Sequence, residues 1–167
     1  TGLGAALITP GGLHRGWRFR AGEIGYIKDP LPPGTPANTA RSWGDQFSEA
    51  ALALQWAERS QSTGLAGVRL EDALAEALAP AVELLAEFGA ALGRRIAVLV
   101  GLADPEAIVL GGEMLRFGAP LFDSLIAAFR DVTSADAPEI LVDRDNDIWA
   151  RGAAALAVQS FFATPTS

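Results

Sequence analysis

Three short segments of the 167-residue sequence set glycines beside groups able to meet a polar ligand. In Thr1-Gly2-Leu3-Gly4-Ala5 two glycines and a hydroxyl precede apolar residues, a pattern that lets backbone N–H groups approach a phosphate. Read alone, such a pair is more often a plain turn before a strand. In Ala21-Gly22-Glu23-Ile24-Gly25-Tyr26 a carboxylate lies between two glycines, where the backbone can come close to a ligand. Glu23 there is either an acceptor for ligand hydroxyls or a surface carboxylate in a turn. In Asp104-Pro105-Glu106-Ala107-Ile108-Val109-Leu110-Gly111-Gly112 a glycine pair ends an apolar run. Open α/β sheets bind ligands at such carboxyl ends, although a tight strand-to-helix turn has the same look.

Other residues carry less. His14, the single histidine, has no acid or nucleophile near it in sequence, and a catalytic imidazole needs an orienting group; it reads as a surface residue. Asp143, Asp145 and Asp147 imitate the first three ligands of a calcium loop, but Ile148 stands where glycine is needed and Ala154 where the closing glutamate is needed. They read as a polar turn, with Asp147 capping the next helix. Cysteine is absent, which excludes disulfides and thiolate metal sites. The net charge of −7 and the lack of basic runs argue against the chain itself gripping nucleic acid. No apolar stretch approaches the ~20 residues of a membrane span, and no signal segment opens the chain. A cytoplasmic location fits. Trp17, Trp43, Trp56 and Trp149 read as core or interface anchors.

The elements that must position these groups follow from periodicity. Ala5 to Ile8 and Leu13 to Phe19 form a hairpin about Thr9-Pro10-Gly11-Gly12, and residues 21–27 give a turn and a third short strand. Asp29 to Thr39, with four prolines and a glycine, is irregular loop. Phe47, Ala50, Leu54 and Ala57 predict one helix from Trp43 to Ser60. Leu70 to Leu78 is a short helix stopped or kinked by Pro80. Ala81 to Val100 is longer, with Val82, Leu85, Gly89, Leu92, Ile96 and Leu99 on one face and Gly89 allowing close packing. Ala107 to Leu110 reads as a fully buried strand, Ala119 to Val132 as a helix, Glu139 to Val142 as a strand, and Ile148 to about Phe162 as the last helix. Strands alternating with helices predict one α/β domain whose partly parallel sheet becomes mixed through the opening hairpin.

Taken together, the three glycine segments resemble the ROK family of repressors and sugar kinases. The spacing from Gly2-Leu3-Gly4 to Gly16 and on to Gly22-Glu23-Ile24-Gly25 follows its signature. The Asp104–Gly112 segment and Ala150-Arg151-Gly152-Ala153-Ala154 are also typical, and the likeness runs from Thr1 to about Phe162, weakest between Lys28 and Gly67. The resemblance implies an actin-like ATPase (ribonuclease H-like) fold, of which residues 1–167 would be the C-terminal lobe. Because the sequence opens on Thr1 inside a glycine motif, the chain is expected to be part of a longer polypeptide. Family kinases take a second phosphate loop and a general-base aspartate from the other lobe, and this sequence has neither.

The family's sugar motif is Glu-x-Gly-His, and here it reads Glu23-Ile24-Gly25-Tyr26. In many members that histidine also binds zinc with three cysteines. Tyr26 and a proline-rich, cysteine-free loop replace them, so no zinc is expected. The resemblance implies sugar contacts at Glu23, Tyr26 and Glu49, the last by a loose match. Nucleotide or phosphate contacts, where kept, fall at Thr1, Gly2, Gly4, Gly111 and Gly112. The implied function is the sugar-binding effector domain of a transcriptional regulator, with a homodimer expected and DNA contacted by an N-terminal module. Two alternatives stay open: the nucleotide-binding half of a sugar kinase, the only case that calls for ATP, and a ligand-free dimerisation scaffold.

Overall fold

The computed structural model describes residues 2–145 and 147–162, with the side chains of all but 148, 149 and 159–162. Its secondary structure comprises strands β1 (Leu7–Thr9), β2 (Gly12–His14), β3 (Ala107–Leu110) and β4 (Glu139–Val142), and helices α1 (Trp43–Phe47), α2 (Glu49–Ser62), α3 (Leu70–Ala75), α4 (Ala79–Ala103), α5 (Gly118–Asp131) and α6 (Ile148–Phe162). Short 3-10 turns lie at Ile24–Tyr26, Ala37–Thr39 and Glu113–Phe117.

Helix α4 is the backbone of the lobe. Pro80 sits in its first turn, where the missing N–H leaves no bond unmade. The preceding α3 is closed by Ala77 in the left-handed region (φ 51°), with Leu78 N–H bonded to Ala73 O and Ala77 N–H to Leu74 O, both at 2.9 Å. Pro80 therefore opens a helix rather than kinking one. Along α4, Gly89 and Gly93 lie one turn apart on the face toward α5. A Cβ at either would overlap a backbone carbonyl of α5, that of Leu121 or of Leu125. The two helices pack backbone to backbone, the close approach anticipated for Gly89.

Two apolar clusters flank this contact. Trp43, Phe47, Leu52 and Trp56 from α1 and α2 meet Leu84, Leu85 and Phe88 of α4 and Leu121 and Phe122 of α5; Phe47 and Phe88 pack edge to face at 5.3 Å. Farther along, Ile96, Leu125 and Phe129 pack on Ile108, Leu110 and Ile140 of the strands. A buried indole also needs a partner, and Trp56 Nε1 donates to Val68 O at 2.8 Å.

The α/β class holds, with several departures in detail. β1 and β2 form the hairpin in antiparallel register, Leu7 opposite His14, while β3 and β4 pair in parallel, Ala107 opposite Glu139. Among the described residues these are two separate two-stranded sheets rather than one mixed sheet. The third strand does not form: Tyr26 N–H bonds to Glu23 O and Ile27 N–H to Ile24 O, so the segment coils, and only Lys28 makes an antiparallel bridge, to Ser42. The single helix expected from Trp43 to Ser60 is two. Ser42 and Asp45 form a reciprocal capping box on α1, and Ser48, extended at ψ 162°, accepts from Ala51 N–H to start α2. Strand β3 is covered on one face only: Ile108 and Leu110 point to the core, whereas Val109 is 58 % exposed.

Gly89→Val is expected to force α4 from α5 and lower stability by about 1–3 kcal/mol, read from the urea midpoint. Gly101→Ala lies on the same helix, where a Cβ would meet nothing within 4 Å, and should raise stability by about 0.4–1 kcal/mol. Equal responses would show that the close approach does not constrain packing.

Candidate functional site

The Glu23–Tyr26 turn is built against the first residues of the chain. Gly22 has φ 89°, and a Cβ there would overlap the Ala5 carbonyl oxygen; Ala5 N–H donates to Gly22 O at 2.8 Å. A Cβ on Gly25 would stand 2.5 Å from Leu3 O, and one on Gly44 3.1 Å from Gly25 O. Three glycines thus let the Gly2–Ala5 stretch, the turn and the first turn of α1 stack without side chains between them. Glu23 caps the 3-10 turn and is exposed, and Tyr26 ends it, 80 % exposed. A carboxylate and a phenol, neither paired with another described side chain, are presented on a backbone fixed from behind. This arrangement offers an acceptor and a donor-acceptor to ligand hydroxyls.

Gly2 and Gly4 lie on the stretch beside this turn, both exposed, with open space where a Cβ would be. Thr1 lies outside the described residues. Gly111 and Gly112 end β3, and Gly112 (φ 109°) leads into the 3-10 turn Glu113–Phe117. Glu49 sits in the first turn of α2, away from a purely solvent-facing role: its carboxylate pairs with Arg116 of that 3-10 turn, and Arg116 also faces Glu71 at 3.6 Å. The structure brings Gly2, Gly4, Glu23 and Tyr26 onto neighbouring segments and ties Glu49 to the segment after Gly112.

The donor set does not suit the zinc of the family motif. Tyr26 stands at the imidazole position and no thiolate is available. Among the described residues no group of three or more His, Cys, Asp or Glu is placed to hold a metal ion. Asp143 and Asp145 instead accept backbone N–H bonds two residues on, from Asp145 and Asp147, each at 2.9 Å. His14 is exposed. Of the tryptophans, Trp43 and Trp56 are core anchors, Trp17 is 94 % exposed, and the Trp149 side chain is outside the described residues.

Two features escaped the sequence reading. The loop after β2 carries Arg15, Trp17, Arg18, Phe19 and Arg20, all exposed, with Phe19 in the left-handed region (φ 57°). The first 22 residues hold these three arginines and no carboxylate, a basic-aromatic patch on an acidic chain. The other is a polar node under the proline-rich loop. Asp29 accepts from Trp43 Nε1 at 2.9 Å, from Gln46 Nε2 at 3.1 Å and from the Arg95 guanidinium. The hydrogen bond from Arg95, joined by those from Trp43 and Gln46, outweighs burial and holds the Asp29 carboxyl below the usual carboxylate range. The alternation of apolar residues gives no sign of such a node, because its members come from a loop, α1 and α4.

The fold is that of an actin-like ATPase lobe, as the family match and the similar solved structures show. The ROK-family sequence profile matches residues 1–160, and the chain belongs to the ROK family. Similar solved structures include a ROK glucokinase from Streptomyces griseus in complex with glucose and AMPPNP (TM-score 0.77, 26 % identity, 95 % of this chain and 58 % of that one). A ROK hexokinase from Thermus thermophilus matches with TM-score 0.73 and 24 % identity over 95 % of this chain and 56 % of that one. A ROK transcriptional regulator, a homolog of the E. coli MLC protein, matches with TM-score 0.77 and 25 % identity over 95 % of this chain and 43 % of that one. No curated protein matches the sequence. The chain thus spans less than two thirds of each of these structures.

Because the Asp29 carboxyl is depressed in the folded state, its contribution is full above the unfolded-state value of about 4 and fades as pH falls through the lower folded value. The urea-midpoint gap between wild type and Asp29→Asn should therefore be constant near neutrality and shrink on acidification below pH ~4. A gap that widens on acidification would contradict the assignment.

Proposed function

We propose that this chain is the sugar-binding effector portion of a ROK-type transcriptional regulator. The observation that carries the reading is the Glu23-Ile24-Gly25-Tyr26 turn, which keeps the sugar-contacting carboxylate and its glycine frame while putting a phenol where family kinases have histidine. A sensor needs only different affinity in two conformations, and a tyrosine hydroxyl supplies a hydrogen bond without metal. Phosphoryl transfer asks for more, since it depends on positioning and charge neutralisation by both lobes. Glu23 and Tyr26 take the sugar; Glu49 reaches it only by giving up Arg116. DNA contact falls to a module outside these residues, and the intact protein is expected to be a cytoplasmic homodimer. The existence of both a glucokinase and a regulator among the similar structures makes the kinase the reading to test against.

Calorimetry on the intact protein with hexoses, pentoses and amino sugars, with and without ATP, separates the two. A sugar that binds without ATP, and loses at least about tenfold in affinity on Glu23→Ala, is the expected result, since hydrogen bonds to a charged group are worth ~1.5–3 kcal/mol. ATP binding with sugar-dependent turnover would instead identify a kinase.

A further inference from the structure

Nothing in its own length keeps α1 helical. It has five residues, far below the ~12–15 at which an isolated helix becomes marginal in water. It follows a proline-rich loop that the Lys28–Ser42 bridge flanks. Yet α1 is the element on which the Glu23–Tyr26 turn rests: Trp43 N–H donates to Ile27 O at 2.7 Å, and Gly44 lies against the Gly25 carbonyl. The Asp29 node grips α1 as well. Asp29 takes the side-chain donors of both Trp43 and Gln46, one turn apart on α1. Arg95 anchors Asp29 to the middle of α4. Its guanidinium donates to Asp29 and to Ala91 O at 3.0 Å, contacts Gln46 Oε1 at 3.3 Å, and stacks over the Phe47 ring at 4.7 Å. Arg95 Nε is buried without a partner. A buried donor left unpaired is unfavourable, and it is tolerated here beside a guanidinium whose other nitrogens are engaged.

We propose that Asp29 and Arg95 are positioning residues for the Glu23–Tyr26 turn: they hold α1 against α4 so that Gly44 and Trp43 fix the turn at the geometry in which Glu23 and Tyr26 face a ligand. The role assigned to the turn rests on the sugar-binding reading; the mechanical coupling does not. None of the node residues is among those proposed to take the sugar. A charged fork, rather than apolar packing alone, does this work because it is directional: a carboxylate with three donors permits one orientation of Trp43 and Gln46, whereas apolar contacts tolerate sliding.

The test is residue-resolved amide hydrogen exchange by NMR on the intact protein, comparing wild type with Asp29→Asn, Arg95→Met and Arg95→Lys. Asp29→Asn and Arg95→Met are expected to speed exchange about tenfold or more at the Tyr26, Ile27 and Trp43 amides and the Trp43 indole N–H, while Leu85 and Leu125 amides in α4 and α5 stay at the wild-type rate. Arg95→Lys, which keeps the charge and loses the fork, should recover part of that protection. Unchanged exchange at the turn would overturn the proposal. So would equal acceleration at Leu85 and Leu125 in all three variants, because the node would then be general core support. Sugar titrations of the same proteins report separately on the ligand. Lost turn protection in a protein whose wild type binds none of the sugars would leave the coupling standing and remove the sugar reading.

Discussion

The lobe depends on how closely α4 and α5 approach. Gly89 and Gly93 replace side chains with bare backbone at two successive turns, and the carbonyls of Leu121 and Leu125 occupy the space. At ordinary spacing, helix axes stand about 8–10 Å apart with side chains between them. Without side chains at those two turns the backbones come into direct contact, and this favours the alignment that puts both carbonyls opposite both glycines. The aromatic residues of α1 and α2 then have one surface to cover on the side of Leu84 and Phe88, and the strands another on the side of Ile96 and Phe129.

From this rigid pair the site is reached through successively weaker elements. Core burial of Trp43 and Phe47 seats α1 on α4, the ion pair of Asp29 and Arg95 sets its orientation, and glycine-to-carbonyl contacts pass that orientation to the Glu23–Tyr26 turn. Arg116, in turn, links the segment after Gly112 to the start of α2 through Glu49. Arginines thus tie both candidate ligand regions to helices, Arg95 of α4 through Asp29 and Arg116 through Glu49 of α2.

Much of this was readable from the residues. The long helices α4 and α5 and the strands β3 and β4 appear where periodicity puts them, because each buries a regular face; α6 also forms where expected, although its residues 150–158 are exposed. The readings that failed concern local hydrogen bonding. Ile24, Tyr26 and Ile27 after the turn at Gly22 imitate a strand, but the backbone closes i+3 bonds and coils. Ser48 interrupts an apolar pattern that continues in phase on both sides, so the break between α1 and α2 is visible only as a second serine cap. The apolar run of β3 suggests two covered faces, and one is bare. For the site, the glycines flanking Glu23 stood out in the sequence as allowing close approach to a ligand, whereas the approach the structure shows is to the chain's own carbonyls, those of Ala5 and Leu3. The Asp29 node was not, since its carboxylate, amide, indole and guanidinium are brought together across 66 positions of sequence.

The bare face of β3 and β4 also bears on how molecules of this chain meet one another. Among the described residues the parallel ladder of β3 and β4 has an unpaired edge on each side, and Val109 and Leu141 add apolar side chains to its open face. Edges of this kind template pairing with other strands. Two features work against it here. Each strand is four residues long, too short to offer an extended template, and the chain carries a net charge of −7, which keeps copies apart at low ionic strength and less so as salt screens it. Colloidal behaviour, rather than folding stability, is where this sheet makes the molecule sensitive to its solvent.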